Sequence, residues 1–509
     1  MWHSSTHSSS TQLAEILPVP RSSRLHRNDR FTYVTQHSRR IPRRFGRRLF
    51  PTVHVAGLTP PPDLHDDDGD SPLSPGLHGE EEVLNYFVRR LEGRGWDSQT
   101  IRESVVSTAP NNITDVWQAM RQIYGLGVKE TGLMESPWLE NVISSGVWDD
   151  WTSSTLIESV GSLDERDLSG GTLRRQHAPR VWLKMENTQP TGSFKVRGAC
   201  NAMLAARKKA LAEGNAEPRF TISSTGNHAL ACIHALGAMK RQHSDAQGDD
   251  QESMLDVYLP SSVSRRKLAK IEHLASQVGC KMSIFVLDGV EDCVEAEIRA
   301  RQEAEAAGRV YISPYNDEAV IAGQGTISLE LLMELPPEHL DMVFVPVGGG
   351  GLISGVARVL KTLAPHVHIV GCQAAACAVM AASVDEGSIV RCTEWNSTLA
   401  EGLAGSIESD SCTFEACKTY VDSWVTVSEK EIAEALVGMH GHHGQPVEGS
   451  AAVALAAIVK MGASLRDKGV VGVVCGGNLD SKDLDRAYDI VRGRDSRDED
   501  FGGSRASAF

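Results

Sequence analysis

The chain has 509 residues, of which 41% are apolar and 23% charged, an ordinary composition for a globular protein. Its ten cysteines form no Cys-x-x-Cys pair, and no apolar run approaches the ~20 residues of a membrane helix, so neither a disulfide framework, a zinc site nor a membrane span is predicted. The net charge of −15 argues against a nucleic-acid partner.

The charge is unevenly distributed along the chain. Residues 1–50 contain ten arginines, no lysine and only two acids, Glu15 and Asp29, so they carry +8 and the rest of the chain carries −23. A Ser- and Arg-rich, acid-poor N-terminus is typical of an organelle presequence and predicts the mitochondrial matrix as the location. The alternative is a disordered basic tail on a cytoplasmic protein.

A linker and a helical segment follow. Residues 51–79 contain a run of three prolines and an acidic run, which together indicate a linker. Apolar residues then recur at helical spacing, with Asp97 or Ser98 and Asn111 or Asn112 as candidate N-caps. The helical stretches are residues 80–91, 97–107 and 112–124. We interpret residues 80–130 as a small helical appendage that packs on the main domain.

Residues 138–491 alternate between short apolar strands and helices. The candidate strands are residues 180–184, 220–223, 255–259, 282–287, 342–347, 368–372 and 470–475. Near-continuous apolar strands separated by helices are typical of a parallel sheet that is covered on both faces, so the fold class is predicted to be α/β. Residues 492–509 are charged and rich in Gly and Ser, and a disordered tail is predicted there.

Four loops at the ends of these strands carry the candidate chemistry. In chain order they are Ser193-Phe194-Lys195, Ser224-Thr225-Gly226-Asn227-His228, the run Gly348, Gly349, Gly350 and Gly351, and Cys475-Gly476-Gly477. The four-glycine run joins a buried strand to a helix N-terminus, where backbone N–H groups and the helix dipole can bind a phosphate. A lysine at a strand-loop-helix junction can hold an aldehyde as a Schiff base. Together, the loops predict a site for a small phosphorylated aldehyde.

These four loops in this order resemble those of the fold-type II pyridoxal-phosphate (PLP) enzymes, and within them the serine/threonine dehydratase (ammonia-lyase) and serine racemase family. The resemblance covers about residues 138–491. It implies a two-lobed, tryptophan synthase β-like α/β fold, with parallel twisted sheets flanked by helices and a smaller lobe at about residues 217–314. It also implies pyridoxal 5'-phosphate as the cofactor, an amino acid as the substrate, and a homodimer or other homo-oligomer.

The resemblance assigns roles around the cofactor. Lys195 would bind the cofactor and then remove the Cα proton as general base. The glycines 348–351 would bind its phosphate, Asn227 its ring hydroxyl, and Cys475 would face its ring nitrogen. Phe194 would form a wall of the cofactor pocket, although an ordinary core aromatic is an equal interpretation.

Further residues are assigned to the substrate. Ser224, Thr225, Gly226 and His228 would lie where the resembled family binds the substrate carboxylate. Thr225 also occupies the position of a catalytic serine in the resembled racemase, so its hydroxyl could act as a second acid, although the bulkier threonine is equally compatible with a plain dehydratase. His228 could equally hydrogen-bond within its own loop. Glu448 either lies under the cofactor or caps a helix.

The chain departs from the resembled family at the position where some relatives bind a divalent cation. Relatives with a cation site carry an acid where this chain has Gln373, and Cys377 and Val379 follow where further ligands would fall. Because hard cations prefer carboxylate oxygens, no metal site is predicted. Residues 397–405 resemble the family's segment that lines the substrate pocket.

The predicted function is a PLP-dependent ammonia-lyase that converts a β-hydroxy amino acid, such as L-serine or L-threonine, to a 2-oxo acid and ammonia. By resemblance, the leaving hydroxyl would be protonated by the cofactor phosphate. The alternatives are an amino acid racemase, a β-replacement enzyme and a non-catalytic PLP-binding regulatory protein. Retention of Lys195 argues against the last, because mere binding does not need that amine.

Overall fold

The computed structural model describes residues 80–105, 112–145, 178–224, 226–242, 255–261, 263, 265–290, 293–391 and 397–494. The predicted presequence and linker, the tail from residue 495 and the candidate site residue Thr225 lie outside these ranges. None of the helices in the described ranges is long and apolar enough to span a bilayer.

Ten strands are present in the described ranges. They are β1 (Leu133–Glu135), β2 (Arg180–Lys184), β3 (Phe220–Ser223), β4 (Leu255–Pro260), β5 (Met282–Leu287), β6 (Val310–Tyr311), β7 (Met342–Pro346), β8 (His368–Ala374), β9 (Ser423–Val427) and β10 (Gly469–Val473). The seven strands predicted from the sequence are all observed, with ends that differ by at most two residues. Strands β1 and β6 were not predicted because two or three residues are too few for a periodic pattern, and β9 was not predicted because most of it is only half-buried.

The helices surround these strands. They are α1 (Glu80–Gly93), α2 (Ser98–Ser104), α3 (Thr114–Ile123), α4 (Pro137–Ser145), α5 (Lys195–Ala212), α6 (Asn227–Gln242), α7 (Arg265–Gln277), α8 (Cys293–Ala306), α9 (Glu318–Glu334), α10 (Gly351–Leu363), α11 (Val379–Glu386), α12 (Cys412–Tyr420), α13 (Glu429–His443), α14 (Gly449–Met461) and α15 (Ser481–Val491). Asp97 caps α2 as predicted, because its carboxylate accepts from Thr100 N at 2.7 Å. Helix α3 has Ile113 as its N-cap, so the prediction of Asn112 at this position was wrong.

Two sheets organise the fold. The larger has the order β1-β2-β10-β7-β8-β9, and the smaller has the order β5-β4-β3-β6. Every neighbouring pair is parallel except β1 with β2. Strand β7 is buried along its whole length, as a parallel strand covered on both faces should be. This arrangement confirms the predicted α/β class.

The parallel order positions the candidate loops. Strands β2, β7 and β10 are neighbours in the larger sheet, so the loops that follow them leave the same edge. The Ser193-Phe194-Lys195 loop, the glycine run and the Cys475 loop are therefore brought together although up to 280 residues separate them in sequence. Ligands bind at the carboxyl ends of strands in open α/β sheets for this reason.

A buried network of charged side chains lies against the helix that begins with Lys195. Arg197 contacts Glu186 at 2.7 Å and Glu330 at 2.5 Å, and Lys184 contacts Glu330 at 2.9 Å and Glu334 at 3.0 Å. Lys184, Glu186, Arg197 and Glu330 have no exposed surface. Burying such charges is costly unless each one is paired, so the members of this network depend on one another.

The N-terminal helical segment joins this network. The Tyr124 hydroxyl donates to Glu330 at 2.5 Å, while Thr131 donates through Oγ1 to Glu186 at 2.5 Å and through its backbone N–H to Glu330 at 3.1 Å. Trp96 also donates to the carbonyl of Leu332 on α9 at 2.7 Å. Trp96, Tyr124 and Thr131 are thus hydrogen-bonded to the interior of the main domain.

Candidate active site

A cavity of about 470 Å³ lies where the loops after β2, β3, β7 and β10 meet. Its lining includes all the predicted site residues that the structure describes, namely Phe194, Lys195, Ser224, Gly226, Asn227, His228, Gly348, Gly349, Gly350, Gly351 and Cys475. It also includes residues that the sequence did not single out, among them Glu297 and Tyr315. The cavity therefore brings together the four predicted loops, which are far apart in sequence.

Lys195 is the first residue of α5, and its amine points into this cavity. Its Nζ donates to the carbonyl oxygen of Pro314 at 2.7 Å. Removal from water lowers the pKa of this amine to about 8, and the nearby acidic groups, Glu297 first among them, oppose the shift only in part. A larger fraction of the amine is therefore neutral near pH 7 than for an exposed lysine, which favours its action as nucleophile or base.

The residues before Lys195 are fixed against the end of β10. Ser193 forms a β-bridge with Gly476, and Phe194 N donates to Cys475 O at 3.1 Å. The Lys195 amine lies 5.2 Å from the centre of the Phe194 ring. Phe194 is thus both a buried core residue and a wall of the cavity, so the two interpretations made from the sequence are compatible.

Asn227 and Glu448 form a polar pair in the cavity wall. Asn227 Nδ2 donates to both carboxylate oxygens of Glu448 at 2.9 and 3.0 Å, and its Oδ1 accepts from Asn478 at 2.7 Å. Glu448 is the N-cap residue of α14, as the capping alternative proposed, but its side chain makes no capping hydrogen bond to that helix and instead contacts Asn227. Burial raises the pKa of Glu448, and the hydrogen bond from Asn227 opposes that rise.

Ser224 and His228 lie on either side of the start of α6. Ser224 Oγ accepts from Gly226 N at 3.2 Å, and α6 begins at Asn227. His228 is buried and hydrogen-bonds to the carbonyl of Ile312 at 2.9 Å. Burial, and to a smaller extent the charge of Lys195, lowers the pKa of His228 to about 3, so the ring is neutral and donates to that carbonyl. This contact favours a structural role for His228.

The glycine run is packed so closely that side chains cannot be accommodated. A Cβ on Gly349 would lie 2.5 Å from the Tyr315 ring, and one on Gly351 would lie 2.8 Å from Tyr315 Cα. Gly350 has φ +86°, a left-handed conformation that favours glycine. No carbonyl of the described residues accepts from the N–H groups of Gly348 to Gly350. These N–H groups, followed by the N-terminus of α10, have the geometry that suits binding of an anion.

Comparison with known proteins identifies the family. The family model described as "Pyridoxal-phosphate dependent enzyme" matches residues 170–476. The chain belongs to this family. It is 38% identical over 306 residues to an L-threonine ammonia-lyase of Thermotoga maritima, which covers 60% of this chain and 69% of the relative. It is also 32% identical over 302 residues to a catabolic L-threonine dehydratase of Escherichia coli, covering 59% of this chain and 83% of the relative.

Solved structures of this family have the same architecture. The processed form of threonine deaminase isoform 2 from Solanum lycopersicum superposes with a TM-score of 0.57 at 25% identity, covering 74% of this chain and 93% of that one. Serine racemase from Dictyostelium discoideum superposes with a TM-score of 0.55 at 25% identity, covering 72% and 98%. The predicted fold-type II PLP architecture and its cofactor are confirmed.

The cavity of this PLP enzyme fits the cofactor on its own geometry. The free N–H groups of the glycine run suit a phosphate, and the Lys195 amine suits an aldehyde. Ser193 Oγ is buried without a hydrogen-bond partner among the described residues, as expected of a group that contacts a ligand. Burial raises the pKa of the Cys475 thiol, so this side chain adds no charge beside the cofactor.

Gln373 occupies the position where a metal-binding relative would have an acid. Its Nε2 donates to Val347 O at 3.1 Å, and its Oε1 accepts from Ala381 N at 2.8 Å. A carboxylate could not replace the first of these bonds. The described residues contain no cluster of three or more His, Cys, Asp or Glu side chains placed to hold a metal ion. The lack of a metal requirement stays a prediction.

Glu297 was missed because charged residues on helices usually face solvent. A signal was available in the sequence of α8, where Ala296, Ala300 and Ala304 recur at helical spacing and form the buried face. Glu297 lies beside that face and is 8% exposed. A single acid on a buried stripe of alanines indicates either an internal partner or a ligand.

Proposed function

We propose that this PLP enzyme is an ammonia-lyase that converts L-threonine or L-serine to a 2-oxo acid and ammonia. The observation that carries the proposal is the placement of a shielded lysine amine, an anion-binding glycine loop and a polar loop around one cavity. The ammonia-lyase and dehydratase relatives, at 32–38% identity, support the assignment.

The residues of the cavity have different roles in the proposed reaction. Bound PLP supplies an aldehyde that takes up the substrate amine and a ring that withdraws electrons from Cα. Lys195, once released, removes the Cα proton with its Nζ, and its lowered pKa suits that task near neutral pH. The glycine loop holds the phosphate, and the N-terminus of α6 beside Ser224 and Gly226 suits the substrate carboxylate.

The neutral Cys475 favours elimination. With Cys475 beside the ring nitrogen of bound PLP, its neutral thiol would leave that nitrogen largely unprotonated and would weaken electron withdrawal from Cα. Negative charge at Cα is then relieved by loss of the β-hydroxyl sooner than by reprotonation elsewhere. Lyase chemistry is therefore expected over transamination and over racemisation.

The experiment is product analysis on purified enzyme with L-threonine, L-serine and 3-hydroxyaspartate. We expect 2-oxo acid and ammonia in equal amounts and little D-amino acid by chiral chromatography. Thr225→Ala should retain a substantial share of 2-oxo acid formation, because elimination needs no proton donor on the opposite face. D-serine as the main product from L-serine, lost in Thr225→Ala, would identify a racemase instead.

We propose the mitochondrial matrix as the location, on the basis of the basic, acid-poor residues 1–50. A fluorescent fusion of the whole chain should be mitochondrial, and one lacking residues 1–50 should be cytosolic. A cytosolic whole-chain fusion would contradict the proposal.

We further propose a homodimer or other homo-oligomer. The exposed apolar side chains of Phe285 and Val286 on the edge strand β5 support a protein contact there. Light scattering of the purified enzyme should give a multiple of the 55.1 kDa chain mass, and a mass of one chain would refute it.

A further inference from the structure

Glu297 differs from the other acids that line the cavity because one of its carboxyl oxygens is buried and has no hydrogen-bond partner among the described residues. It lies on α8, lines the cavity and is 8% exposed. Tyr315 hydrogen-bonds to its side chain, but its Oε2 has no partner among the described residues. Buried polar atoms in native proteins are almost always paired, so an unpaired carboxyl oxygen on the wall of a ligand cavity indicates contact with the ligand.

Both carboxylate oxygens of the neighbouring acid Glu408 are hydrogen-bonded, as expected of a carboxylate with a structural role. Arg301 donates to both of its oxygens at 2.9 and 2.8 Å, and Asn316 donates to one of them. Its backbone N–H donates to the Tyr315 hydroxyl at 3.1 Å. Arg301 is thus committed to Glu408, and Lys195 is the cavity-lining cation whose charge acts on Glu297.

The surroundings favour the protonated form of Glu297. Burial, and to a smaller extent the charge of Glu408, raises the pKa of Glu297 to about 8, while Lys195 and Arg301 oppose the rise. The phenols of Tyr311 and Tyr315, which also face it, are neutral because burial raises the pKa of each. At neutral pH, Glu297 is therefore mainly a neutral acid with a proton to donate.

One polar group of the substrate has no partner among the cavity groups assigned so far, and it is available to Glu297. The glycine loop and the N-terminus of α6 suit anions, and the lysine suits the aldehyde and the Cα proton. A β-hydroxy amino acid offers one further polar group, its β-hydroxyl. We propose, building on the ammonia-lyase assignment, that Glu297 binds the substrate β-hydroxyl and protonates it as it leaves.

The step balances without another reactant. The Cα–H bond breaks, its proton goes to Lys195 Nζ, and its electron pair forms the Cα–Cβ double bond. The Cβ–O bond breaks with its electrons on oxygen, and the proton of Glu297 completes a water molecule. The carboxylate regains a proton from solvent before the next turnover. Glu297 thus takes the role that the resemblance assigned to the cofactor phosphate.

The test varies the leaving group. The chloride of β-chloro-L-alanine departs without protonation, whereas the hydroxyl of L-serine needs an acid. Glu297→Gln keeps the shape of the side chain but cannot supply the acid, so kcat/KM for L-serine should fall by about 10²–10⁴-fold while that for β-chloro-L-alanine stays within about tenfold. Wild-type activity on L-serine should also fall above about pH 8, where the acid is lost, and this fall should be absent for the chloro substrate.

The quantity measured is the ratio of the two kcat/KM values, because loss of folded or PLP-loaded protein cancels from it. Glu295→Gln, the same substitution at an exposed position on the same helix, should leave the ratio unchanged. Glu297→Asp should give an intermediate ratio, since it keeps an acid at a greater distance. If Glu297→Gln slows both substrates equally, or neither, Glu297 is not the proton donor, although the lyase assignment stands. If the wild-type enzyme eliminates from neither substrate, the ammonia-lyase proposal itself fails.

Discussion

Lys195→Ala is expected to abolish turnover. The amine both holds the cofactor aldehyde and moves the Cα proton, and loss of the proton transfer alone should cost about 10²–10⁴-fold in kcat. The variant should still fold, because within the described part of the chain the Lys195 side chain hydrogen-bonds only to Pro314 and takes no part in the buried ionic network. Activity should be measured with L-threonine in excess PLP, so that weaker cofactor binding is not mistaken for lost chemistry.

Borohydride reduction of the wild-type enzyme checks the same residue independently. It should fix the cofactor to one peptide, the one that contains Lys195, as identified by mass spectrometry. Lys209→Ala is the matched control, because that lysine lies on the same helix but is exposed at its last turn, and both labelling and turnover should persist. Label on Lys267 or Lys270, which also line the cavity, would refute the assignment.

Glu330→Ala is expected to be among the most destabilising single substitutions. It removes the carboxylate that faces both Arg197 and Lys184, and leaves two buried cations with fewer partners. Breaking a buried pair on one side typically costs about 3–5 kcal/mol of the free energy of unfolding. The midpoint of urea unfolding, followed by circular dichroism, should fall accordingly. Glu92→Ala is the control, since the pair of Glu92 with Arg102 is exposed and should contribute at most about 1 kcal/mol.

The network also predicts how the stability of the folded protein changes with pH. Burial would raise the pKa of Glu330, but Arg197 and Lys184 outweigh that effect and hold it below its ordinary value of about 4.3. A carboxyl whose pKa is lower in the folded state adds stability above its unfolded pKa and loses it as the pH falls through the folded one. Wild-type stability should therefore decline below about pH 4 more steeply than that of Glu330→Ala. Equal declines would show that the charge of Glu330 contributes nothing.

The sequence was sufficient for the features that depend on local pattern. Apolar runs that end in glycine or polar residues identified seven strands, because a strand buried on both faces excludes polar side chains over its length. The same ends located Lys195, the glycine run and Cys475, since binding loops follow the strands of an α/β sheet. Their chain order was enough to indicate the family and its cofactor.

Tertiary structure decided which distant residues meet. Strand β10 lies between β2 and β7, so Cys475 and Gly476 are placed against the Ser193 loop, an order that no local pattern encodes. The choice between two roles for Glu448 rested on its contact with Asn227, 221 residues away in sequence. In the sequence, Glu297 resembles any other glutamate on a helix. It is the fold that buries it beside Lys195. Burial and charge neighbours set the chemistry of a carboxyl group, and both are properties of the folded chain.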